Sequence, residues 1–223
     1  MKDSVAIIPA RGGSTRIRFK NKKFFFGKPV IAHAILTAKK SLLFKKIIVS
    51  TDDLEIAKIS KKYGASVDFV RPKFLSKNEV GILRVIKHAI MFYEKKKLRF
   101  KNICCILPVS PLLNIQKIRE GYKLLKSKNV SFVFSATVSN PKNKKFFILN
   151  KKKKIENIIY KFRKDVYSDA GQYYWGKKFS WINERKIFSH KSLAVKMMSD
   201  EAIDVNDMKD WKNLITRYKN KKV

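Results

Sequence analysis

Short apolar runs alternate with stretches of helical period along most of the chain. Val5–Pro9 is a continuous apolar run of strand length, ended by a loop rich in glycine and basic residues. Ile31, Ala34, Ile35 and Ala38 then recur at the spacing of one helix face, with Pro29 suited to the first helical position. Lys46–Ser50 reads as a second strand. Thr51 or Asp52 is expected to cap the next helix, which turns Ile56, Ile59 and Tyr63 inward and stops at Gly64. Val67–Val70 predicts a short strand broken by Arg71-Pro72. Gly81–Lys95 predicts a helix burying Ile82, Val85, Ile86, Ala89 and Ile90. Ile103–Leu107 is a third strong strand, and Pro108 and Pro111 bracket the turn after it. A helix over Ile115–Ser127, capped by Asn114, leads to a strand at Phe132–Ala136.

Beyond Val138 the rhythm changes. Phe146–Leu149 and Ile155–Tyr160 flank the polar Asn150–Lys154 and predict a protruding β-hairpin arm over about 138–164. Its four consecutive lysines read as a solvated turn. Gly171–Trp175 and Ser192–Met197 return to the core, and a helix over Asp207–Tyr218 closes the chain. Strands alternating with helices predict an α/β fold: three α/β/α layers, Rossmann-like, around a mostly parallel sheet. Without an internal repeat or flexible linker, residues 1–223 read as a single domain carrying the arm.

Charge alters this picture less than its size suggests. The net charge is +35, yet lysine outnumbers arginine 42 to 10 and is spread along nearly the whole chain. No basic helix with interleaved aromatics stands out, so no dedicated nucleic-acid partner is expected, although a positive field still attracts a nucleoside triphosphate. No apolar run spans a bilayer, so no membrane partner is expected, and the first residues lack a signal-peptide core. Cys104 and Cys105 are adjacent in a predicted strand, point to opposite faces and read as reduced core residues of a cytoplasmic protein.

The chemistry gathers where the first strand ends. Ala10, Arg11, Gly12, Gly13, Ser14 and Arg16, followed by Lys20 and Asn21, form a loop in which glycines let backbone amides approach phosphate and three cations neutralise it. In an open α/β sheet this is the end at which ligands bind. Neither the Walker spacing nor the dinucleotide GxGxxG is present. His33 and His88 fall on predicted helices and His190 in a loop. No Ser-His-Asp or Cys-His system is recognisable.

As a whole string, Ala6–Ser14, Arg16-Ile17, Lys20-Asn21 and Gly27-Lys28-Pro29 resembles the opening of the acylneuraminate cytidylyltransferases. Ile48–Asp53 with Glu55–Ala57, Tyr63-Gly64-Ala65, Arg71-Pro72, Pro108 with Ser110-Pro111-Leu112, and Ala202–Asn206 with Asp210-Trp211 continue the resemblance in order. Val85–Ile90 and Asp169–Trp175 look most like the pseudaminic acid branch. Leu107 stands where sialic-acid members often carry glutamine, Thr15 where lysine is common, and Asn206 where many have a second aspartate. Lys77, Asn78, Val80 and Ile82 also depart from the family pattern.

The resemblance implies a nucleotidyltransferase fold and a reaction in which a nine-carbon nonulosonic acid attacks the α-phosphate of CTP. A CMP-sugar forms for surface glycans or flagellin, and pyrophosphate leaves. It implies Arg11, Arg16 and Lys20 as catalytic cations on the triphosphate, Asn21 near ribose or base, and Arg71 on cytosine. Gln172 and Tyr174 are implied on the sugar, Asp204 and Asn206 on Mg²⁺, and the arm in a homodimer. Legionaminic, sialic and KDO acids remain alternative substrates. A degenerate nucleotide binder and a basic nucleic-acid-binding protein remain alternative functions.

Overall fold

The computed structural model describes residues 3–138, 145–161 and 166–222. The first half contains β1 (Ser4–Pro9), β2 (Phe24–Phe25), β3 (Lys28–Pro29), α1 (Val30–Ser41), β4 (Phe44–Ser50), α2 (Leu54–Lys62), α3 (Ile82–Lys95) and β5 (Asn102–Ile106). The second contains α4 (Ile115–Leu125), β6 (Phe132–Val138), β7 (Phe146–Leu149), β8 (Ile155–Ile159), β9 (Tyr167–Lys177), α5 (Lys178–Asn183), β10 (Ser192–Lys196) and α6 (Met208–Lys222).

The main sheet runs β10-β6-β9-β5-β1-β4. Its β1–β4, β1–β5 and β6–β10 pairs are parallel, whereas β9 lies antiparallel to both of its neighbours, β5 and β6. Helices cover both faces, giving the expected three layers. Alternation along each strand divides the core between those faces. Ala6, Ile8, Cys104, Tyr173 and Trp175 pack with α1 and α4, whereas Val5, Ile7, Cys105, Phe134 and Tyr174 pack with α3 and Trp181 of α5. Both cysteines are buried and free.

Three local expectations are corrected. Asp53 caps α2, accepting the Glu55 and Ile56 amides, so neither Thr51 nor Asp52 takes that place. Val67–Val70 forms no strand, and only an isolated bridge from Ser66 to Ile48 joins that stretch to the sheet. Six-residue α5 had no counterpart in the sequence pattern, which offers too few turns there for a helical period.

The β7–β8 hairpin forms, but its turn does not protrude: Lys154 bridges to Leu193 of β10, the Ala194 amide donates to Lys153 O at 2.8 Å and Lys153 pairs with Glu120 of α4. Its base rests on this chain's own sheet: Phe147 pairs with Tyr167 of β9, and Phe146, Phe147 and Ile155 are buried at home. Val138 and Tyr160, at the outer ends of the arm, stay exposed. Arm positions 139–144 and 162–164 lie outside the described residues.

A third apolar cluster sits beside the sheet. Ile17 and Phe25 from the first loop meet Val205, Trp211 and Leu214 from the C-terminal segment. Trp211 and Tyr218 contact Phe25 edge-on, with ring centroids 5.7 and 5.0 Å apart.

Candidate active site

Parallel β1, β4 and β5 end on the same side of the sheet, and the loops leaving them enclose a pocket of about 270 Å³. Arg11, Ser14, Thr15, Arg16, Lys20 and Asn21 line one wall, Arg71 the floor, and Gly171 and Asp204 the opposite side. Seven of the sequence candidates therefore converge: Arg11, Ser14, Arg16, Lys20, Asn21, Arg71 and Asp204.

The first loop is held open by contacts behind it. Gly12 donates its amide to Asp52 Oδ1 at 3.0 Å, and a Cβ there would lie 2.8 Å from Asp53, so only glycine fits. That amide is already engaged within the protein, whereas those of Gly13, Thr15 and Arg16 meet no acceptor among the described residues. Ala10 is buried and donates to Ser50 O, which ties the loop's origin to β4.

Lys20 reaches across to Val205 O at 2.9 Å, so its ammonium bridges the two sides of the pocket. Burial lowers its pKa. Arg16 and Arg11 act in the same direction, and Asp204 and Asp210 oppose them. Asn21 is 6% exposed and donates to Arg11 O at 2.8 Å, leaving its Oδ1 buried and unpaired.

Arg71 is 3% exposed, contrary to what a surface arginine before a proline would show. One guanidinium nitrogen donates to Ser50 O at 3.0 Å, while Nε has no partner. Burial lowers its pKa to about 10, with Asp52 opposing and Arg11 reinforcing the shift. It stays charged at neutral pH. Buried, unpaired donor and acceptor atoms are costly unless something completes them, so the floor is built to receive polar groups of its own.

The remaining candidates stand apart. Gln172 is buried, and its amide nitrogen donates to Ala170 O, Gly171 O and Ile203 O, which pins the C-terminal segment to β9. The Tyr174 hydroxyl donates to Asp169, and neither Gln172 nor Tyr174 lines the pocket. Asn206 also lies outside the lining and donates Nδ2 to Asp204 Oδ2 at 2.8 Å. The donor set nevertheless suits a hard divalent cation, because Mg²⁺ characteristically takes one or two carboxylates and completes its shell with phosphate oxygens and water. Asp204 is such a carboxylate, facing three cations that would hold the phosphates.

Sequence reasoning gave Leu75 and Val109 no role and read Ile82 and Val85 only as the buried face of a helix. Leu75, Val80, Ile82, Val85, Leu107 and Val109 form an apolar wall. Of the positions departing from the family pattern, Thr15, Lys77, Asn78, Val80, Ile82 and Leu107 line the pocket, whereas Arg18, Phe19 and Asn206 do not. That shared location is a signal the sequence alone could not display.

Known proteins identify the family. The sequence model of a family described as cytidylyltransferase matches residues 5–202. A pseudaminic acid cytidylyltransferase from Campylobacter jejuni is 33% identical, over 97% of this chain and 96% of its own. A CMP-N,N'-diacetyllegionaminic acid synthase from Legionella pneumophila is 28% identical, over 93% and 92%. Among solved structures, a CMP:2-keto-3-deoxy-manno-octonic acid synthetase complexed with CTP superposes with a TM-score of 0.78. Its identity is 12%, over 98% of this chain and 99% of that one, a likeness of fold. With the family model matched over residues 5–202 and a relative 33% identical over 97% of this chain, the chain belongs to the cytidylyltransferase family.

Proposed function

We propose that the protein transfers CMP from CTP to a nonulosonic acid, pseudaminic acid first among them, with release of pyrophosphate. The observation that carries this reading is the pocket lining, where Arg71 Nε and Asn21 Oδ1 are buried without partners in company with the cations Arg11, Arg16 and Lys20. A guanidinium donates to the O2 and N3 acceptors of cytosine, and an amide oxygen accepts from an amino or hydroxyl group. Arg11, Arg16 and Lys20 then lie where a triphosphate extends from that base. Transfer of this kind needs the reacting groups aligned and their charge neutralised, with no covalent nucleophile from the protein.

Asp204 would hold Mg²⁺, which when bound neutralises phosphate oxygens. The apolar wall containing Leu107 suits a sugar with fewer exposed hydroxyls on that side, which supports pseudaminic acid over sialic acid. Gln172 supports the sugar side indirectly, by fixing the backbone around Gly171. The same reading places the reaction in the cytoplasm, in keeping with two buried free cysteines, and in a homodimer joined through the arm, in keeping with exposed Val138 and Tyr160.

The test is pyrophosphate release from each of the four nucleoside triphosphates with Mg²⁺, offered pseudaminic, legionaminic, sialic and KDO acids in turn. Release with CTP and pseudaminic acid is expected. Silence across the panel from a folded, CTP-binding protein overturns catalysis and leaves a nucleotide binder. Sedimentation equilibrium at micromolar concentration gives a dimer mass on this reading, and a monomer removes the arm's assembly role.

A further inference from the structure

The pocket lining contains one aspartate, Asp204, and Asn206, outside the lining, braces it without adding charge. A second carboxylate stands close by on a different element. Asp169 lies in β9, and Gly171 sits between it and Asp204. Gly171 donates its amide to Asp169 Oδ1 at 2.9 Å, and a Cβ on Gly171 would fall 3.1 Å from Asp204 Cγ. Gly171 has φ +60°, a left-handed conformation in which glycine is at ease. The sequence thus keeps this spot free of a side chain, which lets the Asp204 carboxylate press against the backbone that Asp169 holds.

Asp169 is itself fixed. Its second oxygen accepts from the Tyr174 hydroxyl, and a carboxylate with two such bonds still has lone pairs to offer. Burial raises its pKa to about 6. Bonds from Tyr174 and Gly171 oppose that rise, repulsion from Asp204 adds to it, and Lys145 opposes it. Two carboxylates crowded across one glycine are an unfavourable pair on their own, and a divalent cation beside them reverses the sign of the interaction. The pocket that Asp204 and Gly171 line also carries the buried, unpartnered Arg71 Nε and Asn21 Oδ1, an independent mark of a missing ligand.

From this arrangement we propose that Asp169 supplies the second negative charge of the divalent-cation site, acting across Gly171 in place of the carboxylate that position 206 lacks. The proposal rests on the reading of Asp204 as the metal-holding residue. Because Mg²⁺ retains several waters, Asp169 acts through its charge and a bound water, as a positioning residue.

The experiment measures Mn²⁺ binding by electron paramagnetic resonance, with the protein in excess over CTP and far enough above its CTP Kd that nearly all the nucleotide is bound. The variants are Asp204→Asn, Asp169→Asn, Asn206→Asp, the double variant Asp169→Asn/Asn206→Asp, and Tyr174→Phe. Asp169→Asn is nearly isosteric and is expected to weaken Mn²⁺ binding about tenfold or more, in the range seen for groups behind metal ligands. CTP affinity in EDTA should stay unchanged. Asn206→Asp in the Asp169→Asn background is expected to recover most of the loss, because it returns the missing charge. Tyr174→Phe removes a bond but keeps the carboxylate and, assayed at alkaline pH where Asp169 stays ionised without that bond, is expected to leave Mn²⁺ binding near wild type.

Unaltered Mn²⁺ binding in Asp169→Asn overturns the proposal. So does a loss that Tyr174→Phe reproduces and Asn206→Asp does not repair, since that pattern belongs to a structural brace. If Asp204→Asn also leaves Mn²⁺ binding intact, the failure lies in the underlying metal reading, and the proposal falls with it.

Discussion

Arg71 is a charged side chain almost wholly withdrawn from water with one nitrogen unanswered, and that arrangement makes it sensitive to what enters the pocket. Replacing it by alanine is expected to raise the KM for CTP by about 30-fold or more, since hydrogen bonds to charged groups are worth about 1.5–3 kcal/mol. Lysine should not rescue it, because a single ammonium cannot reproduce a planar pair of donors. Steady-state kinetics with CTP varied against a fixed sugar concentration checks both variants.

The run Thr51-Asp52-Asp53 shows why local reading stops short of the residue. All three side chains are competent helix caps, and each finds a different partner. Thr51 Oγ1 takes the Asp53 amide, Asp52 takes Gly12, and Asp53 takes the first turn of α2. What separates them is the position of Gly12, distant in sequence. Asp53→Ala should destabilise the fold by about 1 kcal/mol at neutral pH. Burial raises the Asp53 pKa, but bonds from the helix amides and Lys22 outweigh it and leave the group below its usual value of 3.8. A depressed carboxylate adds stability above its unfolded pKa and loses it as pH falls through the folded one. The gap between wild type and variant should therefore shrink on acidification below about pH 4, measured by urea denaturation across pH.

At the scale of elements, the strong strands and long helices were legible because each carries its own period: Ile7 and Ile8 on opposite faces, Val85 and Ala89 on one. Short α5 and the lost strand at Val67–Val70 were not, since six or four residues do not complete a pattern. Nor could any local signal reveal that β9 runs against its neighbours. The candidate site divides the same way. The cations of the first loop were visible as a string, whereas the meaning of Asp169 depends on Gly171 and Asp204 meeting in space.

The cluster joining α6 to the first loop carries its own prediction. Trp211, 3% exposed, packs edge-on against Phe25 in one cluster with Val205, whose carbonyl accepts from Lys20. Trp211→Ala should cost about 3–5 kcal/mol in chemical denaturation. It should also raise the KM for CTP in the molecules that remain folded, because the two pocket walls lose their common backing. Unchanged kinetics with lowered stability would separate the cluster from the site.

For the whole molecule, a charge of +35 acts on any triphosphate before contact is made. Encounter with CTP should weaken as salt screens that field, whose reach is about 10 Å at 0.1 M ionic strength. The expected outcome is a several-fold fall in kcat/KM for CTP between low and high potassium chloride, with kcat little altered. A flat profile would mean that the positive surface plays no part in capture.

The placement of β9 also governs how the chain comes into being. β5 and β6 are made early and flank a gap that only residues 167–177 can fill. Until that segment leaves the ribosome, both strands present bare edges rich in apolar side chains, Ile103 and Phe134 among them. Closing the gap depends on partners far apart in the chain, the kind of contact that slows folding. The nascent protein thus passes through a stage with two unsatisfied sheet edges, during which it is open to self-association.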